Sequence, residues 1–201
     1  GAAWVYSYSN GSWTLDTVSG VSTGRIQASN KGAGDRFGNS VAMSGDGTRI
    51  TVGAIHDDDD GNNSGSAYIY TYSSGSWGSE KIIQALDAST GGNAEFGWNV
   101  AMNNDGTKVV VGAAFHDTGG GDIGASYVFT YNSSGDSWSQ QEKIQSSDKV
   151  AGDRFGYSVD INSDGTKIVV GADSQDTGGS SAGAAYVYTY NNGSWYDSGN
   201  N

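Results

Sequence analysis

Neither cysteine nor proline occurs among the 201 residues. Without cysteine there can be no disulfide, no thiolate metal site and no thiol nucleophile, and cysteine usage gives no sign of the redox compartment. Positive charge is also scarce: 10 Lys and Arg stand against 22 Asp and Glu, for a formal net charge of −12. Phosphate binding needs clustered cations, so no nucleic-acid partner is expected, and cations or neutral sugars are the more natural ligands. The same acidity keeps a glycine-rich β protein soluble and discourages edge-to-edge association. No apolar run approaches the roughly 20 residues of a membrane-spanning helix, so membrane insertion is not expected. The chain holds only two His, at non-equivalent positions of the repeat. That inventory is thin for catalysis, and the expectation is that the protein is not an enzyme.

What is plentiful is glycine (33 residues), tyrosine (12) and tryptophan (6), together with Ser, Asn, Thr and Val. These are turn and strand residues and poor helix formers, so the chain reads as all-β. A fixed period organises it. Phe37-Gly38, Phe96-Gly97 and Phe155-Gly156 recur every 59 residues, as do Val52-Gly53-Ala54, Val111-Gly112-Ala113 and Val170-Gly171-Ala172. Self-similarity at such a spacing is the signature of a propeller or another repeat array.

Each unit divides into four strands, a to d. Strand a (40–44 in the first full copy) is followed by Asp46-Gly47, with Asp105-Gly106 and Asp164-Gly165 at the equivalent places. An Asp-Gly pair between apolar strands is a strong hairpin signal. Strand b (49–54, 108–113, 167–172) is nearly continuous in apolar residues, as expected of a strand covered on both faces. Strand c alternates Tyr68, Tyr70 and Tyr72 with Ala67, Ile69 and Thr71, so that rings line one face and smaller residues the other. Strand d begins at Trp13, Trp77 or Trp138. Antiparallel four-stranded units with large rings between them predict β-propeller-type blades, about three and a half of them. The expected division is 1–36 as a partial blade of strands c and d, then 37–95, 96–154 and 155–201, the last incomplete. Strand c would occur twice if the two ends closed one blade, so the chain is expected to be part of a larger propeller or repeat polymer.

At these residues the chain resembles the FG-GAP repeat family, in the form found in bacteria and algae. Gly152-Asp153-Arg154-Phe155-Gly156-Tyr157-Ser158-Val159 follows its consensus almost throughout. The resemblance implies blades that act as scaffolds for adhesion or ligand binding, without one shared chemistry. It also implies a calcium loop between strands a and b, built from oxygen ligands at alternate positions. Asp160, Asn162 and Asp164 come nearest to that loop, although Ile168 stands where its last carboxylate belongs.

A second candidate for a cation is the run Asp57, Asp58, Asp59 and Asp60; Asp58 recurs as Asp117 and Asp176, which equally suits an Asp that caps a loop. Calcium is the only cofactor these residues suggest. Asn-x-Ser acceptors for glycans occur at Asn10, Asn62, Asn132 and Asn192, three of them in the c–d turn, an exposed hairpin that would carry glycans along one rim. The tyrosine stripes are expected to pack between blades, and they would offer a sugar-stacking platform only where they reach solvent. These features together predict a non-enzymatic structural or adhesive repeat protein, extracellular or at the cell surface, glycosylated and able to assemble into a filament. Its partners would be neighbouring repeats or further copies, with glycans or extracellular proteins beside them. The alternative is a propeller that binds carbohydrate or protein with calcium assistance.

Overall fold

The computed structural model describes residues 1–87, 93–117 and 121–199, which form strands and turns without a helix. No helix among the described residues is long and apolar enough to cross a membrane. Three four-stranded antiparallel sheets follow one another along the chain. The first consists of β5 (Val41–Met43), β6 (Arg49–Ala54), β7 (Ser66–Ser73) and β8 (Ser76–Ile83). The second is β9 (Asn99–Met102), β10 (Lys108–Ala113), β11 (Ala125–Asn132) and β12 (Ser137–Ile144). The third is β13 (Phe155–Ile161), β14 (Lys167–Ala172), β15 (Ala184–Asn191) and β16 (Ser194–Asp197). In each sheet the strands lie side by side in chain order. Ahead of them β1 (Ala3–Trp4) pairs with β4 (Arg25–Ile26), and β2 (Tyr6–Ser9) with β3 (Ser12–Leu15). These pairs form the c and d side of one more sheet.

Strand a is more variable than its sequence suggests. It shortens to Val41–Met43 in the first sheet. In the third it extends back to Phe155, where the register shifts between Phe155 and Ser158.

The alternation along strand c decides how the sheets stack. Its aromatic side, called the front here, meets the small and aliphatic back of the preceding sheet. Tyr68 and Tyr70 of β7 share a core with Ala3 and Val5 of β1 and its following residue. Tyr127 and Phe129 of β11 lie with Ala67 and Ile69 of β7. Tyr188 of β15 lies with Val110 and Val128 of the second sheet. The Phe-Gly phenylalanine packs onto the front of its own sheet: Phe96 stands 5.5 Å from Tyr127 and 5.8 Å from Phe129, centroid to centroid. Phe155 repeats this at 5.4 Å from Tyr186 and 6.1 Å from Tyr188, the tilted and edge-on contacts that aromatic quadrupoles favour.

The glycine boxes let the backbones of neighbouring sheets meet. A Cβ on Gly53 would lie 2.1 Å from the Gly97 carbonyl oxygen, and one on Gly112 would lie 2.0 Å from that of Gly156. Val-Gly-Ala of one repeat and Phe-Gly of the next are therefore two halves of one contact.

Candidate functional site

With both faces of the second sheet occupied, the rims are the surfaces it leaves to act. One rim carries the a–b and c–d turns, which are tied together by Tyr72, Tyr131 and Tyr190 amides donating to the carbonyls of Thr48, Thr107 and Thr166 at 2.8, 2.9 and 2.8 Å. Within each a–b turn the aspartate is spent on its own loop. Asp46 Oδ1 accepts from the Thr48 amide at 2.9 Å, its hydroxyl at 2.8 Å and the Ser44 hydroxyl at 2.6 Å. Asp105 Oδ1 accepts from the Thr107 amide at 3.0 Å, its hydroxyl at 2.6 Å and Asn103 Nδ2 at 2.8 Å. These hydrogen bonds, the side-chain ones first, hold Asp46 and Asp105 below the usual carboxylate range.

The third turn, nearest to a calcium loop in sequence, does not fit one. Asp164 Oδ1 takes the Thr166 hydroxyl at 2.5 Å and its amide at 3.0 Å, and Asn162 Oδ1 takes the Lys167 amide at 2.8 Å. Asp160 lies exposed on strand β13 and accepts from the Ile161 amide at 2.9 Å. A cationic side chain also reaches each inner turn from the preceding sheet. Arg49 Nη1 donates to the Gly106 carbonyl at 2.9 Å and its guanidinium lies 3.9 Å from the Tyr131 ring centroid. Lys108 Nζ donates to the Gly165 carbonyl at 2.9 Å and lies 4.6 Å from the Tyr190 ring. The protein's own cations thus stand beside these turns and bridge sheet to sheet.

The same rim carries three glycan acceptors. Asn10 and Asn192 each occupy the first position of a two-residue turn with positive φ (50° and 48°), followed by Gly11 and Gly193. This is the primed geometry that matches strand twist. Asn132 begins a longer loop and accepts from the Ser134 amide at 3.0 Å. All three are exposed. Asn62, also exposed, sits between β6 and β7, at the opposite end of the strands.

That opposite rim holds a polar cluster in each of the three four-stranded sheets which the sequence did not disclose. The first front-face tyrosine of strand c reaches two loops at once in the first and second full sheets and one loop in the third. Tyr68 Oη bonds Asp57 and donates to Asn30 at 2.9 Å; Tyr127 Oη donates to Asp87 at 2.9 Å and lies 3.3 Å from His116 Nδ1; Tyr186 Oη donates to Asp148 at 2.9 Å. Positions 57, 116 and 175 are equivalent, and Asp57, His116 and Gln175 are all buried. The signal was present as the 59-residue step itself, but three different residue types concealed it. Burial, with the nearby carboxylates, pushes the phenols of Tyr68 and Tyr127 up and raises Tyr186 to about 12. In the second sheet Lys143 Nζ lies 2.7 Å from both Asp87 Oδ2 and His116 Nε2. Burial first, then the Lys143 charge, lowers the His116 pKa, so the ring is neutral and Nε2 accepts from the ammonium.

The aspartate run is dispersed by this arrangement. Asp57 faces inward to Tyr68, and Asp58 Oδ1 caps the loop by accepting from the Asn63 amide at 2.6 Å, as Asp176 does from Ser181 at 2.6 Å. Asp59 bonds Asn30, and Asp60 is exposed. Among the described residues no group of three or more His, Cys, Asp or Glu side chains is placed to hold a metal ion.

A family model described as FG-GAP repeat matches residues 21–70, 77–129 and 138–188. A search of curated proteins returns no match. Among solved structures, the crystal structure of a protein from Lactobacillus plantarum is similar at 16% identity and a TM-score of 0.55, over 96% of this chain and 47% of that one. Hydrazine synthase of Kuenenia stuttgartiensis is similar at 12% identity and a TM-score of 0.47, over 86% of this chain and 38% of that one. The chain therefore spans less than half the length of either, and the first of them shows a shared fold alone.

Proposed function

The chain belongs to the FG-GAP repeat family, and on that premise we propose that it is a non-enzymatic structural or adhesive repeat protein of the cell exterior, glycosylated along its turn rim. FG-GAP repeats commonly occur in extracellular or surface proteins. The observation that carries the reading is the placement of Asn10, Asn132 and Asn192 on exposed turns of one rim, clear of every contact between sheets. Glycans there extend outward without disturbing the stack. The second sheet, for its part, is covered on both faces by stacking, which leaves its rims as its exposed surface.

The titratable groups support the same reading. His116, Lys143, Asp87 and Tyr127 bond to one another, and the imidazole is fully buried. They act as a brace between loops. Calcium-assisted binding is the weaker reading, since Oδ1 of the turn carboxylates already accepts from the turn's own threonine and Arg49 and Lys108 approach the turns.

Intact mass of the natively expressed protein, before and after an N-glycosidase, tests the rim. A fall in mass, with the released sites mapping to Asn10, Asn132 or Asn192, is expected. An unchanged mass would remove the glycoprotein from the proposal.

A further inference from the structure

Each of the two contacts between full sheets is made in the same two parts. Front-face rings of one sheet cover the small back-face residues of the sheet before it, and the cation that opens strand b of that earlier sheet reaches the last ring of the next one. Beneath the third sheet, Val110 and Val128 are 0% exposed, and Lys108 stands over Tyr190.

The two ends of the described stack each present one half of this contact. At the C-terminal end Val169 and Val187, which repeat Val110 and Val128, are 40% and 43% exposed. Lys167, which repeats Lys108, is exposed beside them. At the N-terminal end the front-face rings Trp4, Tyr6, Tyr8 and Trp13 are 51%, 53%, 62% and 69% exposed, whereas the equivalent Tyr68, Tyr70 and Trp77 are buried. Val41 and Met43 of the first full sheet, whose counterparts Val100 and Met102 are buried, are exposed too and line a cavity with Ala3, Trp4 and Val5 behind that face. Four rings in one exposed patch is more than an isolated soluble surface ordinarily carries. Since both halves are exposed in one molecule, the chain does not bury them against each other.

We propose that the aromatic front face at the N-terminal end is the docking site for the valine back face at the C-terminal end of a second copy, with Lys167 of that copy over Tyr8. The inference deepens the scaffold reading and rests on it. The two faces differ, so the contact is heterologous: successive copies add head to tail, closing into a ring if the rotation permits and extending as a filament otherwise. The cation keeps its ring but not its carbonyl, because no a–b turn precedes β2 in the described chain. Lys167 therefore contributes less than Lys108 does inside the stack.

Sedimentation velocity over a range of concentrations is the test, with variants that change only exposed side chains. Wild type is expected to associate, and Val187→Asp and Tyr6→Asp each to remain monomeric. An equimolar mixture of those two is expected to form a 1:1 dimer and nothing larger, because the first retains the aromatic face and the second the valine face. Lys167→Met is expected to weaken association about fivefold, the worth of a partly exposed cation–π contact. The proposal is overturned by a wild-type chain that stays monomeric throughout, by either variant associating alone as wild type does, or by a mixture that stays monomeric. Quenching of tryptophan fluorescence by a soluble oligosaccharide in such a monomer would assign the aromatic face to sugar instead. A monomer that still loses mass to N-glycosidase would sink this inference and leave the scaffold reading standing.

Discussion

Gly112 and Gly171 occupy the same place in successive repeats and are predicted to respond differently to one added methyl group. A Cβ on Gly112 meets the Gly156 carbonyl oxygen at 2.0 Å, and backbone cannot step aside. On Gly171 the nearest atom is the Ser158 hydroxyl at 2.3 Å, which can rotate away. Gly112→Ala should cost about 2–4 kcal/mol and Gly171→Ala under about 1 kcal/mol in denaturant unfolding. Equal costs would show that the contact between sheets is not what demands glycine. His116 supplies a pH effect. Its folded pKa lies below the 6.5 of the unfolded chain, through burial and then Lys143, with Asp87 and Asp117 opposing. As pH falls below 6.5 the unfolded chain takes up a proton that the folded one resists, so this contribution to stability is present above 6.5 and is lost toward the folded pKa. His116→Gln, the residue found at 175, should flatten melting temperature against pH just below 6.5. Asp87 is desolvated, but the Lys143 and Tyr127 hydrogen bonds hold it below 3.8, so its own effect lies at lower pH and should survive the substitution.

At the scale of the element, the a–b hairpin takes its shape from its own residues. Asp and Gly suit the turn by themselves: Gly47, Gly106 and Gly165 take φ of 69°, 66° and 70°, which glycine adopts without steric cost. Threonine two residues after each Asp then donates its hydroxyl to Oδ1 of that carboxylate and pins the loop. Millimolar calcium or a chelator should therefore leave the melting temperature unchanged in scanning calorimetry. A rise on adding calcium would mean that the turns reopen to bind it. That these loops are hairpins was legible from Asp-Gly; that Arg49 and Lys108 reach the next sheet's turn was not, because each partner lies 57 residues away.

The whole molecule is a series of sheets, each in contact with its neighbours in order, so protection should follow position in the stack. The second sheet is covered on both faces, and β10 and β11 hold Val109, Val110, Val111 and Tyr127 at full burial. The N-terminal pair β2 and β3 is exposed along its length. Hydrogen exchange is expected to be slowest in β10 and β11 and fastest in β2 and β3, as nearest-neighbour coupling in repeat arrays requires. Uniform protection would indicate a single cooperative unit instead.

Fold class, repeat length and the antiparallel order within each sheet could be read from the residues alone, because strand alternation, Asp-Gly turns and the 59-residue step are local or periodic signals. The exposed turn asparagines at 10, 132 and 192 were legible for the same reason. Which side of each sheet meets its neighbour, the joining of Phe-Gly to the preceding Val-Gly-Ala, and the brace of Asp57 or His116 on a strand-c tyrosine depended on the stack. Those contacts unite residues far apart in sequence whose types change from repeat to repeat, and only packing in three dimensions brings them within bonding distance.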